Sequence, residues 1–230
     1  LCMKTYNEKM SIYHGMASTL ANNTSSNYIP IFAMTILGAT NYQGGLISSL
    51  PPLIGLLMTV PAAIVLNRAL EQRKLVAFSV LSARLAFLLI LFITYVPGSI
   101  ASWVLLALIA FMSVPNTLAN MGWQALIGNI IEDNRRARFF SERNRLLTIV
   151  GLITTLIIGF FMRDVTSDVS AYQLLFAFTF IFGLMEMFFL LKHKEEAREQ
   201  KLEVKKRAMD WAIFKDANYV RFLAVALCFN

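Results

Sequence analysis

Six apolar stretches, read at about residues 17 to 39, 43-44 to 66, 75 to 96, 102 to 127, 146 to 162 and 171 to 191, organise this chain. Each suffices to cross a hydrocarbon core of ~30 Å. In lipid every backbone N–H and C=O must find its partner within the spanning structure, so continuous stretches of this length are read as helices. The expected fold is an all-α membrane protein, a six-span transmembrane helical bundle. Placing the N-terminus and every second loop on one face puts 19 of the 21 Lys and Arg there, with Arg84 inside a span and Arg163 on the opposite face. By the positive-inside rule that face is cytoplasmic, which predicts a multi-pass protein of the cell membrane with a cytoplasmic N-terminus.

The loops expected to be cytoplasmic are 67 to 74, 128 to 145 and 192 to 218. Composition supports the bilayer as the main solvent: 57% of residues are hydrophobic, against about 45–50% in ordinary soluble domains. The net charge of +7 sits in short loops beside the spans, where topology and anionic headgroups account for it, and no nucleic-acid partner is expected. Residues 1–191 read as the six-span bundle and 192–218 as a charged cytoplasmic linker. An apolar run opening at 219 and continuing to 230 reads as the start of a seventh span, so the chain is expected to be the first half of a two-half protein.

Polar residues inside spans are few, and their spacing is informative. In the first span Thr19, Asn22, Asn23, Ser26 and Asn27 recur at three- and four-residue intervals before Pro30, which puts most of them on one stripe facing protein or water. In the fourth, Asn116, Asn120 and Gln124 are four apart behind Pro115. Two readings stand for these amides: the wall of a substrate cavity, or interhelical hydrogen bonding worth ~0.6 kcal/mol per pair. Spans two and five carry small residues, among them Gly44, Gly45, Gly55, Gly151 and Gly159, suited to close helix packing. Pro51-Pro52 is expected to interrupt the regular hydrogen-bond ladder of the second span, where it could act as a bend. Pro30 and Pro115 fall at similar distances from the starts of their spans, as an inverted three-plus-three repeat requires.

Two charges lie within spans, Arg84 about 15 Å past Lys74 and Glu186 about 9 Å before Lys192 at 1.5 Å per residue. A buried charge in a bilayer needs a partner. A structural pair between them is favoured, with a proton-coupling role for Glu186 as the alternative.

Asn67-Arg68 followed by Arg73-Lys74, in the loop between spans two and three, resembles the conserved loop of the major facilitator superfamily, which reads approximately Gly-x-Leu-Ala-Asp-Arg-x-Gly-Arg-Lys. Ala63 stands for the opening Gly and Asn67 for the Asp, Arg68 matches, and Arg73-Lys74 match the closing pair after a two-residue insertion. The resemblance implies the N-terminal half of a transporter of this family. It also implies that spans one and four line a central cavity, that two and five flank it, and that three and six support it from outside. It makes Glu132 and Asp133 candidate partners for Arg68, and it likens 135–145 to the basic turn that leads into span five. Asn67, Arg68, Arg73, Lys74, Glu132 and Asp133 are thus the expected conformational loop residues.

The implied function is secondary active transport of a small solute by alternating access, with the lipid bilayer, the substrate, a coupling ion and a second six-helix half as partners. Walls rich in amides and free of fixed charge favour a neutral, zwitterionic or amphipathic substrate. The runner-up is the permease subunit of an ATP-driven transporter. An intramembrane enzyme ranks lower, because His14 and His193 lie near cytoplasmic ends, no Asp lies in a span and no catalytic motif occurs. Cys2 and Cys228 have no metal-binding spacing, and neither cofactor nor metal is expected.

Overall fold

Helix follows helix through a computed structural model that describes residues 6–193 other than 70, 132, 166 and 167, and leaves out the side chains at 99, 129, 130 and 133. The seventh span expected at 219–230 and all but the first two residues of the linker expected at 192–218 lie outside the described residues. The helices are α1 (Tyr6–Ser25), α2 (Ile29–Thr35), α3 (Asn41–Arg68), α4 (Gln72–Leu91), α5 (Gly98–Ile130), α6 (Asp133–Met162) and α7 (Val169–Leu191), with a 3₁₀ turn at Ile93–Tyr95. Among the described residues, five segments are long and apolar enough to cross a membrane: α3, α4 with its 3₁₀ extension, Ile100–Gly128, Asn134–Met162 and α7.

The first expected span is not one helix. Thr24 Oγ1 bonds back to the Leu20 and Ala21 carbonyls and Ser25 Oγ to that of Ala21, a competition with the backbone that weakens a helix terminus. Residues 26–28 form a turn, and Pro30 then sits in the first turn of α2, where its missing N–H costs nothing. The other prolines behave differently. α3 runs unbroken through Pro51, Pro52 and Pro61, and α5 through Pro115. Pro51 and Pro52 free the carbonyls of Ile47 and Ser48 but hold φ near its helical value, and spanning helices tolerate such losses. The ladder of span two thus loses two bonds, as expected, while the helix itself runs on without a break.

The connection expected at 128 to 145 is also shorter than its charge implied. α5 continues to Ile130 and α6 begins at Asp133, so most of the basic run is helix, with Arg138 and Glu142 paired one turn apart at 3.2 Å. At the other end of the bundle, Gly38 turns the chain with φ 64°, and Thr40 opens α3 with a capping box: its hydroxyl accepts from Gln43 N–H while Gln43 Oε1 accepts from Thr40 N–H.

The α1–α2 segment runs antiparallel to α7 along its length: His14 lies opposite Glu186, Thr24 bonds Thr179 at 2.8 Å, and Phe32 packs on Tyr172. Altogether α1 packs on α6 and α7, α5 on α3 and α4, and α4 on α7. Exchanging α1–α2, α3 and α4 for α5, α6 and α7 maps these contacts onto themselves, while α1 and α5 run in opposite directions. An inverted repeat of three-plus-three requires this arrangement.

Apolar clusters close both ends. Phe32, Phe87, Ile90, Leu105, Tyr172 and Phe176 fill one; Leu66, Val76, Val80, Leu126 and Leu190 fill the other, beside the basic connections. Over half of the apolar window of α4 is buried (56%), against 11% for α3 and for α6, so α4 is the enclosed helix and the other two present Leu53, Leu56, Val60, Leu152, Leu156 and Phe160 outward. Gly122 lets α5 meet α4 and α3, since a Cβ there would collide with Val76 and Leu66. Gly122→Ala should therefore destabilise the full-length protein by roughly 1–3 kcal/mol through overpacking. Gly45→Ala, with nothing within 4 Å of its added Cβ, serves as the control in detergent melting; equal midpoints for the two variants would contradict this packing.

Candidate functional site

Two helical stripes meet across a cavity of ≈ 220 Å³. From α5 come Asn116, Asn120 and Gln124, each exposed and each one turn beyond the last; from α1 come His14, Ser18 and Asn22, spaced in the same way. Four-residue spacing stacks side chains on one face of a helix, so each stripe forms a continuous polar wall. Val80, Ala83 and Arg84 of α4, Glu186 of α7, Ala119 and Trp123 of α5 and Arg143 of α6 complete the lining.

The charges centre on Glu186. Arg84 Nη2 donates to Glu186 Oε2 at 2.8 Å and Nε donates to the same oxygen at 3.2 Å, and Nη2 also reaches Asn22 Oδ1 at 3.0 Å. The other carboxylate oxygen lies 3.7 Å from His14 Nε2. Arg84 and Glu186 are each only 5% exposed. The Arg84 stem lies along Gly183, one turn before Glu186, where any Cβ would strike it. This places a cation of α4, an acid of α7 and an amide of α1 in one hydrogen-bonded group.

The remaining expected residues part ways. Asn23 turns from the cavity and donates through Nδ2 to the Gly151 carbonyl at 3.0 Å and to Thr155 at 3.4 Å, tying α1 to α6. Ser26 and Asn27 are exposed in the turn between α1 and α2. Asn67 and Arg68 are exposed at the end of α3. Glu132 and the Asp133 side chain lie outside the described residues, and so does their expected meeting with Arg68. Lys74 pairs with Glu71 at 2.8 Å. Arg73 donates to the carbonyl of His193, just beyond α7, where a cation suits the negative end of the helix. The His193 ring is buried, with Nδ1 3.0 Å from the Leu190 carbonyl, and burial lowers its pKa below the ordinary value.

His14, Ser18, Trp123 and Arg143 were not among the expected site residues. His14 and Ser18 extend the α1 stripe by two turns toward the N-terminus, a signal present in the spacing; a span expected to begin at 17 left His14 outside it. Arg143 is one of five arginines between 135 and 145 and carries no mark of its own. Its neighbours show how local the difference is: Arg138 is exposed, Arg135 pairs with Glu8 of α1 at 3.0 Å, and Arg143 alone among these three lines the cavity. The premise of walls without fixed charge is accordingly corrected, because Arg84, Glu186 and Arg143 reach the cavity from helices other than α1 and α5.

The family model described as Major Facilitator Superfamily matches residues 14–230. The chain belongs to this superfamily. Facilitator proteins are membrane transporters, and together with the apolar helices the assignment makes this a multi-pass membrane protein. The permease-subunit and enzyme alternatives gain no support from it. Neither the comparison with curated proteins nor that with solved structures gave a match.

In this facilitator the Arg84–Glu186 pair has a thermodynamic signature. Removing one partner leaves the other charge buried and unpaired, at about 3–5 kcal/mol, whereas removing both removes that penalty. Detergent melting of the full-length protein should show Arg84→Leu and Glu186→Leu each strongly destabilised and the double variant partly restored. Losses that simply add would mean the pair does not form.

Proposed function

We propose that this chain supplies the first six-helix bundle of a secondary transporter, which moves a small polar solute by alternating access against a second bundle of the same protein. The α1–α2 segment is the sixth crossing, since it follows a spanning helix, α7, from one end to the other. The N-terminus and the basic connections face the cytoplasm of the cell membrane, where positive charge is retained. The observation that carries the reading is the pair of facing stripes, His14–Ser18–Asn22 and Asn116–Asn120–Gln124, on a single cavity between repeat-related helices. Transporters of this construction bind substrate where their repeats meet and rock around it. Side chains of both signs at the cavity agree with a zwitterionic or neutral polar solute more readily than with an apolar one, and a coupling ion and the second half complete the machine.

Hydrogen bonds to substrate from single amides are each worth about 0.5–1.5 kcal/mol. In the full-length protein Asn116→Ala and Asn120→Ala should therefore each slow solute uptake by up to about tenfold at unchanged protein level, and Ser141→Cys should escape a membrane-impermeant maleimide in intact cells. Normal uptake in both alanine variants would reduce the amides to packing groups, and labelling of Ser141→Cys from outside would reverse the orientation.

A further inference from the structure

Among the described residues Arg143 is a guanidinium without an anion. It is 92% buried (8% exposed) and lines the cavity, yet the one hydrogen bond it makes among the described residues is a long one, from Nε to the Ser11 carbonyl at 3.4 Å. The other charges at the cavity do not balance it. Arg84 and Glu186 neutralise each other at 2.8 Å, and Glu186 is the cavity's one carboxylate among the described residues.

The surroundings hold this cation in place without consuming its donors. Its guanidinium carbon lies over the Trp123 ring, 4.2 Å from the centroid, a cation–π contact. That contact uses no hydrogen bond, so the terminal N–H groups remain for a carboxylate, which arginine holds with two parallel bonds. On α1, Gly15 makes the approach possible: a Cβ there would lie 2.5 Å from Arg143 Nη2 and 2.9 Å from its central carbon. Nearby the indole N–H of Trp123 also has no hydrogen-bond partner among the described residues, a second donor left over at this end of the cavity.

We propose that Arg143 is the anion subsite of the substrate cavity, and that the transported solute carries a carboxylate which docks on its N–H edge. One uncompensated cation matches one negative charge. A phosphate ester would bring closer to two, and Glu186 in the same cavity would repel the second. The remainder of the solute then extends along the amides of α5. This inference rests on the transporter reading and narrows its substrate to small monocarboxylates, amino acids included.

The test uses the purified full-length protein and a panel of small monocarboxylates, each paired with its neutral amide, such as benzoate with benzamide and lactate with lactamide. Equilibrium dialysis reads binding. At least one acid should bind the wild type and its amide at least about tenfold more weakly, and Arg143→Gln should lose at least about tenfold in affinity for that acid alone. Arg143→Lys, which keeps the charge but loses the fork, should fall between them, and Arg138→Gln, on the exposed face of α6, should match the wild type. Should Arg143→Gln fail to fold, Arg143→Lys and Gly15→Ala carry the comparison, and both should weaken acid binding. Amides binding as tightly as their acids, or no acid of the panel binding, would overturn the subsite, as would acid binding that survives in every Arg143 variant. A protein that fails here yet loses uptake in the Asn116 and Asn120 variants keeps its transporter function and loses only this substrate class.

Discussion

Arg84 is buried at a depth where an unpaired charge costs roughly 2.5–3.5 kcal/mol on insertion scales, and the groups that satisfy it come from two other helices. Glu186 of α7 supplies the countercharge, Asn22 of α1 a further acceptor, and Gly183 the room for the arginine stem. Because α4 is the most enclosed of the spanning helices, this group fixes the rotation of α4, α7 and α1 about their own axes. Apolar contacts alone would not do so. A bilayer offers little hydrophobic gain for bringing helices together, and Leu against Leu has no preferred register. A fork of two hydrogen bonds to one carboxylate oxygen does.

Once those rotations are set, the polar residues of the bundle divide into two populations. Asn23, Thr24 and Thr179 spend their hydrogen bonds joining helices, and each is held away from the cavity. Asn116, Asn120 and Gln124 make no interhelical bond among the described residues and face the cavity instead. The division follows from the repeat. α1 carries both a face hydrogen-bonded to its neighbours and a polar stripe toward the shared space, whereas α5 meets α3 and α4 by close packing at Gly122, and the two stripes are related by the same exchange that relates the helix contacts.

Much of this was legible in the sequence because the bilayer imposes a length and a polarity on every crossing. Five of the six stretches, the amide stripe of α5 and the meeting of Arg84 with Glu186 all follow from counting residues along a helix. Three features were hidden. Asn22 and Asn23 differ by one residue, or about 100° of helix rotation, and only the placement of α6 beside α1 decides which one faces the cavity. The run from 135 to 145 reads as a loop by charge, yet arginine and glutamate are good helix formers, and α6 keeps its helix down to Asp133. Arg143 is distinguished from its neighbours solely by Gly15 and Trp123 opposite it, contacts between residues far apart in the chain.

The central claim is that exposure on this bundle has two kinds, toward water in the cavity and toward lipid elsewhere, and a single helix contains both. Asn120 and Phe111 lie on α5 and both are exposed, Phe111 by 65%. In the full-length protein, freed of its native cysteines and kept in native membranes, a small water-soluble thiosulfonate should modify Asn120→Cys readily and leave Phe111→Cys untouched. Equal modification of the two, or modification of Phe111→Cys alone, would contradict the account.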